Sequence, residues 1–451
     1  MASATHNSLE RQRTDLPKCH PNTRVAVIKR LLGWIKSEID FDAFILWLYG
    51  AAGAGKSAIA QTLAEICQEE GLLLATFFFW KDTEECNKID RFIATIAYQI
   101  TCAIPALCPL IEEALRYDPM IFHKSVDIAL AKLIIEPLKR LHSTGFDFKC
   151  SPFVIIIDGL DECHGSNIQS GLVKSLAAAF RYSPLRIRIL IASRPEVYLQ
   201  STFNSLSIQA HLSRLALSEE YSAEKDIYRF LKDSFDKIRR EHNLASPWPS
   251  ADVLHEITRK SSGQFIFAST TVNYIGGDPD ELPTRRLDVI RRLQPPRGEE
   301  DLPYAGLNSL YNHVLYSVRD IERIKQVLGI LLIINPIVGR KDAMRSADRI
   351  DTFLYWQRGE TKACLRRLAS IIECDEDGFI SILHASLSDF LLDPSRSHQF
   401  YLCRESLLGN CVAVALRHMH QPVLDEDGMS FLPSWTSIVQ VLICNMFYSR
   451  S

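Results

Sequence analysis

Gly50-Ala51-Ala52-Gly53-Ala54-Gly55-Lys56-Ser57 fits the spacing G-x-x-x-x-G-K-[ST]. Side chains this small let successive backbone N–H groups close around phosphate oxygens, and a following helix adds the positive end of its dipole. In such a loop Lys56 is expected to bridge the β- and γ-phosphates and Ser57 to offer its hydroxyl to Mg²⁺. Much later in the chain the apolar run FVIIID ends in Asp158. A carboxylate at the tip of a buried strand is costly unless it faces a metal or solvent, so Asp158 is expected to hold Mg²⁺ through water. Asp161 and Glu162 follow at once, placed to polarise an attacking water. Taken singly, the loop also reads as a Gly/Ala-rich turn closing a βα unit, and the acids as a surface turn. Together they favour nucleotide binding.

These residues must be positioned by strands and helices. Short apolar runs at FILWLYG (44–50), LLLATFFFW (72–80), FVIIIDGL (153–160), RIRILIAS (186–193) and SIQAHLSRL (207–215) alternate with helical patterns. That alternation predicts a parallel sheet covered on both faces. Residues 24–39 carry apolar positions at helical spacing and predict a helix leading into the loop. After about Ser218 the pattern turns helical, as in 219–242 and 251–275, up to the Pro- and charge-rich stretch LQPPRGEEDLP (293–303). The four arginines of RRLDVIRRL read as one solvated helical face. Beyond lie an apolar helix (324–334), an amphipathic helix at TKACLRRLASII (361–372), a hairpin turning at Asp377-Gly378, and a helix from Ala385. The expected fold is α/β: a P-loop NTPase with a parallel five-stranded sheet, a helical lid subdomain and a winged-helix-like module. The expected boundaries are a polar N-terminal tail (1–22), the NTPase core (23–217), the helical subdomain (218–292), a linker (293–305), the winged-helix-like domain (306–398) and a short helical remnant (399–451).

The balance of 51 Lys plus Arg against 54 Asp plus Glu offers no bulk field for nucleic acid or an anionic membrane surface, so neither is expected as a partner. Twelve cysteines show no CxxC pair or zinc spacing, and several, such as Cys67, Cys102 and Cys411, fall in apolar helical patterns, which predicts buried reduced thiols. The first residues lack an apolar secretory core, and the run 327–339 is too short to span a bilayer and contains proline. An intracellular, cytoplasmic protein without a membrane span is expected. Asn87-Lys88-Ile89-Asp90 spells N-K-x-D, yet it precedes the Asp158 strand whereas the guanine-reading loop of G proteins follows it, so ATP is preferred to GTP. His418 and His420 read as a polar helix end rather than a metal site.

GAAGAGKS together with IIIDGLDE resembles the NACHT branch of the STAND P-loop ATPases, above all the group in mushroom-forming fungi that shares its nucleotide domain with nephrocystin-type proteins. CHPNTRVAVIKRLLGWI (19–35), RFIATIAYQI (91–100), ILIASRPE (189–196), KSSGQFIFAST (260–270) and ILHASLSDFLLDPSRS (382–397) agree with that family's lead-in, later elements and winged helix. The resemblance implies that Arg194 is a sensor arginine facing the γ-phosphate, that the 260–270 segment holds a nucleotide-facing turn, and that His384 reaches the β-phosphate of ADP. Without it, His384 reads as core packing. It further implies a latch: ADP holds the winged helix closed, and exchange for ATP lets subunits self-associate or meet protein partners in immune or incompatibility-like signalling. Such proteins commonly carry an effector domain before this region and sensing repeats after it. Here about twenty residues precede the lead-in and about fifty follow the winged helix. A truncated gene product and a short protein acting through a partner both fit. The function expected is therefore a regulatory switch that binds ATP/ADP with Mg²⁺ and hydrolyses it slowly. A working phosphotransferase and a nucleotide-binding scaffold or decoy are the alternatives.

Overall fold

The computed structural model describes residues 4–8, 17–80, 86, 89–146, 148, 153–181, 183, 185–217, 223–277, 281–295, 304–318, 320–334 and 344–420. The chain divides into two compact units, Met1–Asp226 and Ile227–Ser451.

In the first unit, chain order is α1 (Val25–Ile35), β1 (Ile45–Tyr49), α2 (Lys56–Glu69), β2 (Leu73–Phe78), α3 (Asp90–Ala103), α4 (Cys108–Tyr117), α5 (Val126–Leu130), α6 (Glu136–Ser143), β3 (Phe153–Asp158), α7 (Ser166–Phe180), β4 (Ile187–Ser193), α8 (Val197–Phe203), α9 (Leu206–Gln209) and β5 (Leu212–Ala216). α10 (Glu224–Glu241) then carries the chain out of the unit. The five strands pair in parallel in the order β2-β3-β4-β1-β5.

Apolar strands with helices on both sides bury alternate residues on opposite faces. Ile45, Trp47, Ile155, Ile157, Ile189 and Ile191 join one core with residues of α3, α5, α6 and α7. Leu46, Leu48, Val154, Ile156, Leu190 and Ala192 join another with α1 and α2. α2 contributes Ile59, Leu63 and Cys67, spaced four apart on one stripe. Full burial of each such aliphatic side chain stabilises by roughly 1.5–3 kcal/mol. The outer edge of β2 is closed by a side chain: Thr76 N donates to Gln99 Oε1 at 3.0 Å, and Gln99 Nε2 donates to Thr76 O at 2.7 Å. The carboxamide thus takes the place of a neighbouring strand.

Several sequence expectations are corrected. Part of the supposed polar tail is packed: Ala4 to Ser8 are buried apart from Asn7, His6 N donates to Thr76 Oγ1 at 3.0 Å, and Gln61 Nε2 donates to His6 O at 3.0 Å. A polar segment can be buried when its hydrogen bonds are met, and such a segment has no apolar period to betray it. The fifth strand starts at Leu212, because Leu206–Gln209 winds as α9. Cys67, Cys86, Cys163 and Cys411 are buried thiols, but Cys102, at the end of α3, is exposed. Burial pushes the Cys67 thiol up to about 12.

Among its described residues the second unit is helical apart from one hairpin. α11 (Ala251–Lys260), α12 (Phe265–Gly276), α13 (Pro283–Arg292), α14 (Ala305–Tyr316) and α15 (Ile321–Gly329), which runs into a π-helical turn at Ile330–Ile334, precede α16 (Ala347–Leu354) and α17 (Glu360–Leu365). The antiparallel pair β6 (Ile372–Cys374) and β7 (Ile380–Ile382) follows, then α18 (Ala385–Leu391), α19 (Pro394–Ser397) and α20 (Arg404–His420). The region 251–275 is two helices because Ser262 and Gly263 turn left-handed at φ 47° and 78°. The expected helix over 361–372 stops at Leu365 and tightens into a 3₁₀ turn before β6. The hairpin is present, its loop pinned by Phe379 N donating to Asp375 Oδ1 at 2.7 Å. Arg286 is not a solvated arginine, since it pairs with Glu281 at 3.1 Å and lies over the Tyr274 ring. His418 is no polar helix end either: it is 1% exposed, and its Nε2 lies 2.9 Å from Phe353 O. The linker residues 296–303, Asn87 and Lys88 of the N-K-x-D string, residues 335–339 of the apolar run and residues 421–451 of the C-terminal remnant lie outside the described residues. Among the described residues no helix is long and apolar enough to cross a membrane.

Candidate functional site

The strand order decides which chemistry meets. β4 lies between β1 and β3, so three carboxyl ends stand side by side: the loop after β1, Arg194 after β4 and Asp158 at the end of β3. Ligands of open parallel sheets bind beyond this edge. Apolar parallel strands do not announce their order, so this convergence is a finding of the structure.

The loop is shaped by its small residues. Gly53 and Gly55 hold φ 76° and 91°, a region that side chains disfavour. Gly55 is also the N-cap of α2, so its backbone and the first amides of the helix lead out of the loop. Lys56 Nζ folds back and donates to Gly50 O at 2.8 Å and Ala51 O at 2.9 Å. Burial lowers the Lys56 pKa, while the carboxylates of Asp161, Asp158 and Glu162 act against that shift. The lysine therefore sits among three acids that offset part of the cost of its burial, and its acceptors are carbonyls of the loop itself.

Asp158 is 3% exposed at the tip of β3. The next residue must be glycine: Gly159 has φ +69°, and a Cβ there would stand 2.9 Å from Phe79 O. That turn starts the 3₁₀ segment Leu160–Glu162, which presents both further acids. Asp161 does not stand alone. Its Oδ1 accepts from Arg194 N at 3.0 Å, and its Oδ2 lies 3.2 Å from Arg194 Nε. The predicted water-polarising acid and the predicted sensor arginine are thus partners. Both oxygens of Asp161 are thus engaged by Arg194, and Glu162 is the second acid that the turn carries.

Residues to which the sequence reading gave no role brace this cluster. Gln169 Nε2 donates to Cys163 O at 2.6 Å and Asp161 O at 3.3 Å, and Tyr198 Oη donates to Gln169 Oε1 at 2.7 Å. Trp47 Nε1 donates to Ser193 Oγ at 2.9 Å, and that hydroxyl donates to Arg194 O at 3.0 Å. Gln169 could have been found, since it shares the helical stripe of Leu172, Val173 and Leu176, where a buried amide needs a reason. The partners of Trp47 and Ser193 depend on strand neighbours and left no local trace.

Ser57 offers a hydroxyl and Asp158 a carboxylate, both hard oxygen donors suited to Mg²⁺. Among the described residues no group of three His, Cys, Asp or Glu forms a self-sufficient metal cage. A cation at Ser57 and Asp158 would need phosphate and water oxygens, which suits Mg²⁺ arriving with a nucleotide.

In the second unit, His384 caps α18: its Nδ1 accepts from Ser386 N at 3.0 Å and lies 2.8 Å from Ser386 Oγ, which in turn meets Tyr311 Oη at 2.8 Å. The turn Ser261–Gln264 is closed by Gln264 N donating to Ser261 O at 2.8 Å.

Residues 29–194 match the family model described as nephrocystin 3, N-terminal. No curated protein matches. Among solved structures, Cdc6p from Pyrobaculum aerophilum is 14% identical with TM-score 0.36, over 83% of this chain and 94% of that one. The Aeropyrum pernix ORC2 protein in its ADP form is 12% identical with TM-score 0.35, over 97% and 98%. NtrX from Brucella abortus in complex with ADP is 13% identical with TM-score 0.32, over 80% and 71%. Likenesses this distant leave the chemistry to be read from the residues themselves.

Proposed function

We propose that the chain is a nucleotide-dependent regulatory switch of the STAND/NACHT type, which binds ATP or ADP with Mg²⁺ and hydrolyses ATP slowly. The observation that carries this reading is the convergence, along one sheet edge, of the Gly50–Ser57 loop, Asp158, and the paired Asp161 and Arg194. The nephrocystin-type match over residues 29–194 supports it by covering these groups.

In this reading Gly50, Gly53 and Gly55 keep the loop open to phosphates, and Lys56 exchanges its two carbonyl partners for β- and γ-phosphate oxygens. Ser57 and Asp158 would hold Mg²⁺, which when bound would supply charge neutralisation. Arg194 turns from Asp161 to the γ-phosphate, and Glu162 polarises the water. Asp161 then acts by parking Arg194 when no third phosphate is present. His384 is the β-phosphate reader of the ADP state. Because its Nδ1 accepts a backbone N–H, the neutral ring carries its proton on Nε2, the donor that a phosphate oxygen requires. Protein partners or self-association are the output of the switch.

The test is to denature the purified protein, identify released nucleotide by chromatography, and titrate ADP and ATP into wild type and Lys56→Ala. Loss of two charge-assisted hydrogen bonds predicts an affinity reduced by about 100-fold or more in the variant. Equal binding by the two proteins would remove the site assignment. Binding without any effect on association would favour a nucleotide-bound scaffold.

A further inference from the structure

Arg24 is a charged side chain that the protein buries: it is 3% exposed. Its backbone is left-handed at φ 56°, which costs a residue with a Cβ about 1 kcal/mol or more and persists only where surroundings hold it. Two contacts do so. Arg24 N donates to Asp226 Oδ2 at 2.9 Å, and Arg24 Nη2 donates to Ala54 O, inside the phosphate loop, at 2.8 Å. The segment that delivers Arg24 runs back along α2: Lys18 pairs with Glu65 at 2.8 Å, and Cys19 N donates to Thr62 Oγ1 at 3.0 Å. Residues 18 to 24 thus form a strap from the third turn of α2 up to the loop.

The contact at Ala54 has a geometric consequence. In a trans peptide the C=O and the following N–H point in opposite directions. Holding the Ala54 carbonyl toward Arg24 turns the Gly55 N–H away from the strap, the orientation in which it can be offered to a phosphate. Asp226, the acceptor at the other end, lies in the first turn of α10.

We propose that Arg24 is a positioning residue for the phosphate loop, and that through the bonds to Ala54 and Asp226 phosphate occupancy is coupled to the anchorage of α10. The proposal rests on the nucleotide reading of the Gly50–Ser57 loop. A phosphate that draws the Gly55 amide tightens the Ala54 carbonyl on the guanidinium, which fixes the backbone of Arg24 and hence its bond to Asp226. A freed loop relaxes the same chain of bonds.

The experiment uses the full chain as wild type, Arg24→Gln, Arg24→Lys and Asp226→Ala, with ADP and Mg²⁺ as the probe. Affinity is measured by titration, and hydrogen exchange of residues 224–241 is measured with and without saturating ADP. Wild type is expected to slow exchange in the first turns of α10 when ADP binds. Arg24→Gln is expected to bind about tenfold more weakly and to lose that slowing at saturation, with partial return in Arg24→Lys. Asp226→Ala, which removes the acceptor of the Arg24 N–H, is expected to keep affinity within about threefold yet lose the slowing, which separates coupling from binding even where Arg24→Gln folds poorly. If wild type binds nucleotide and the Arg24 and Asp226 variants all bind and slow exchange as it does, the coupling is overturned while the site stands. If wild type binds no nucleotide, both the site reading and the coupling fall.

Discussion

Asp161→Asn tests the pairing of Asp161 with Arg194. The carboxylate is 8% exposed and the arginine 25%, with contacts of 3.0 Å to Arg194 N and 3.2 Å to Nε. Asparagine keeps an oxygen for the backbone N–H and removes only the charged partner of the guanidinium. A charge-assisted hydrogen bond contributes about 1.5–3 kcal/mol, and the partial exposure of Arg194 reduces this to about 1–2 kcal/mol. If Arg194 must leave Asp161 to reach a γ-phosphate, that energy opposes triphosphate binding and leaves diphosphate binding untouched. Asp161→Asn should therefore raise the affinity for a non-hydrolysable ATP analogue over ADP by about 5–30-fold. The assay is competition of the two nucleotides against a fluorescent analogue in the presence of Mg²⁺. Asp161→Glu is the control, because it keeps a carboxylate for the guanidinium and should move the ratio much less. An unchanged ratio in Asp161→Asn, or an equal shift in both variants, would refute the parking role.

Three further outcomes are expected. Asp351 is 2% exposed and accepts from Gly359 N at 2.7 Å and Thr361 N at 2.8 Å, so Asp351→Ala orphans two amides. Its loss should destabilise the second unit by about 2–4 kcal/mol, read as a lower urea midpoint with little change at the nucleotide site. Burial, then the Arg286 charge, lowers the pKa of His313, and burial lowers that of His418. Groups with depressed folded values favour the unfolded chain once it protonates. The stability they contribute is thus complete above the ordinary histidine value of about 6.5 and falls as pH drops below it. Thermal midpoints between pH 7.5 and 5 should decline less steeply, by a measurable margin, in a His313→Gln, His418→Phe double variant. Asp158→Asn should retain nucleotide while weakening the Mg²⁺ dependence of binding, measured by titration with and without the metal.

The chemistry-bearing loop and strand end were legible because each is local: small residues, a lysine and a serine in fixed spacing, and a carboxylate closing an apolar run. Strand existence was legible for the same reason, since a continuous apolar run reports burial on both faces. Strand order was not, because Ile189 and Ile155 carry no mark of which neighbour they pair with. The engagement of Asp161 with Arg194 followed from that order and was hidden with it. Helix ends failed where propensity gave way to context: the apolar pattern through Ile371 and Ile372 suits a helix as well as the strand it enters. The packed segment from Ala4 to Ser8 is held by hydrogen bonds to Thr76 and Gln61, which composition cannot foretell.

The sheet order also governs how such a chain comes into being. β1 is made early, yet its two neighbours, β4 and β5, begin only at Ile187 and Leu212. A growing chain therefore carries β1 and its glycine loop for a long stretch of synthesis with both edges bare, the condition in which apolar strands recruit one another between molecules. Long-range parallel pairings of this kind close slowly. The Gly50–Ser57 loop gains both flanking strands of β1 only after β5 has been made, and a fragment ending before Ile187 would present β1 as a template for aggregation rather than as part of the candidate site.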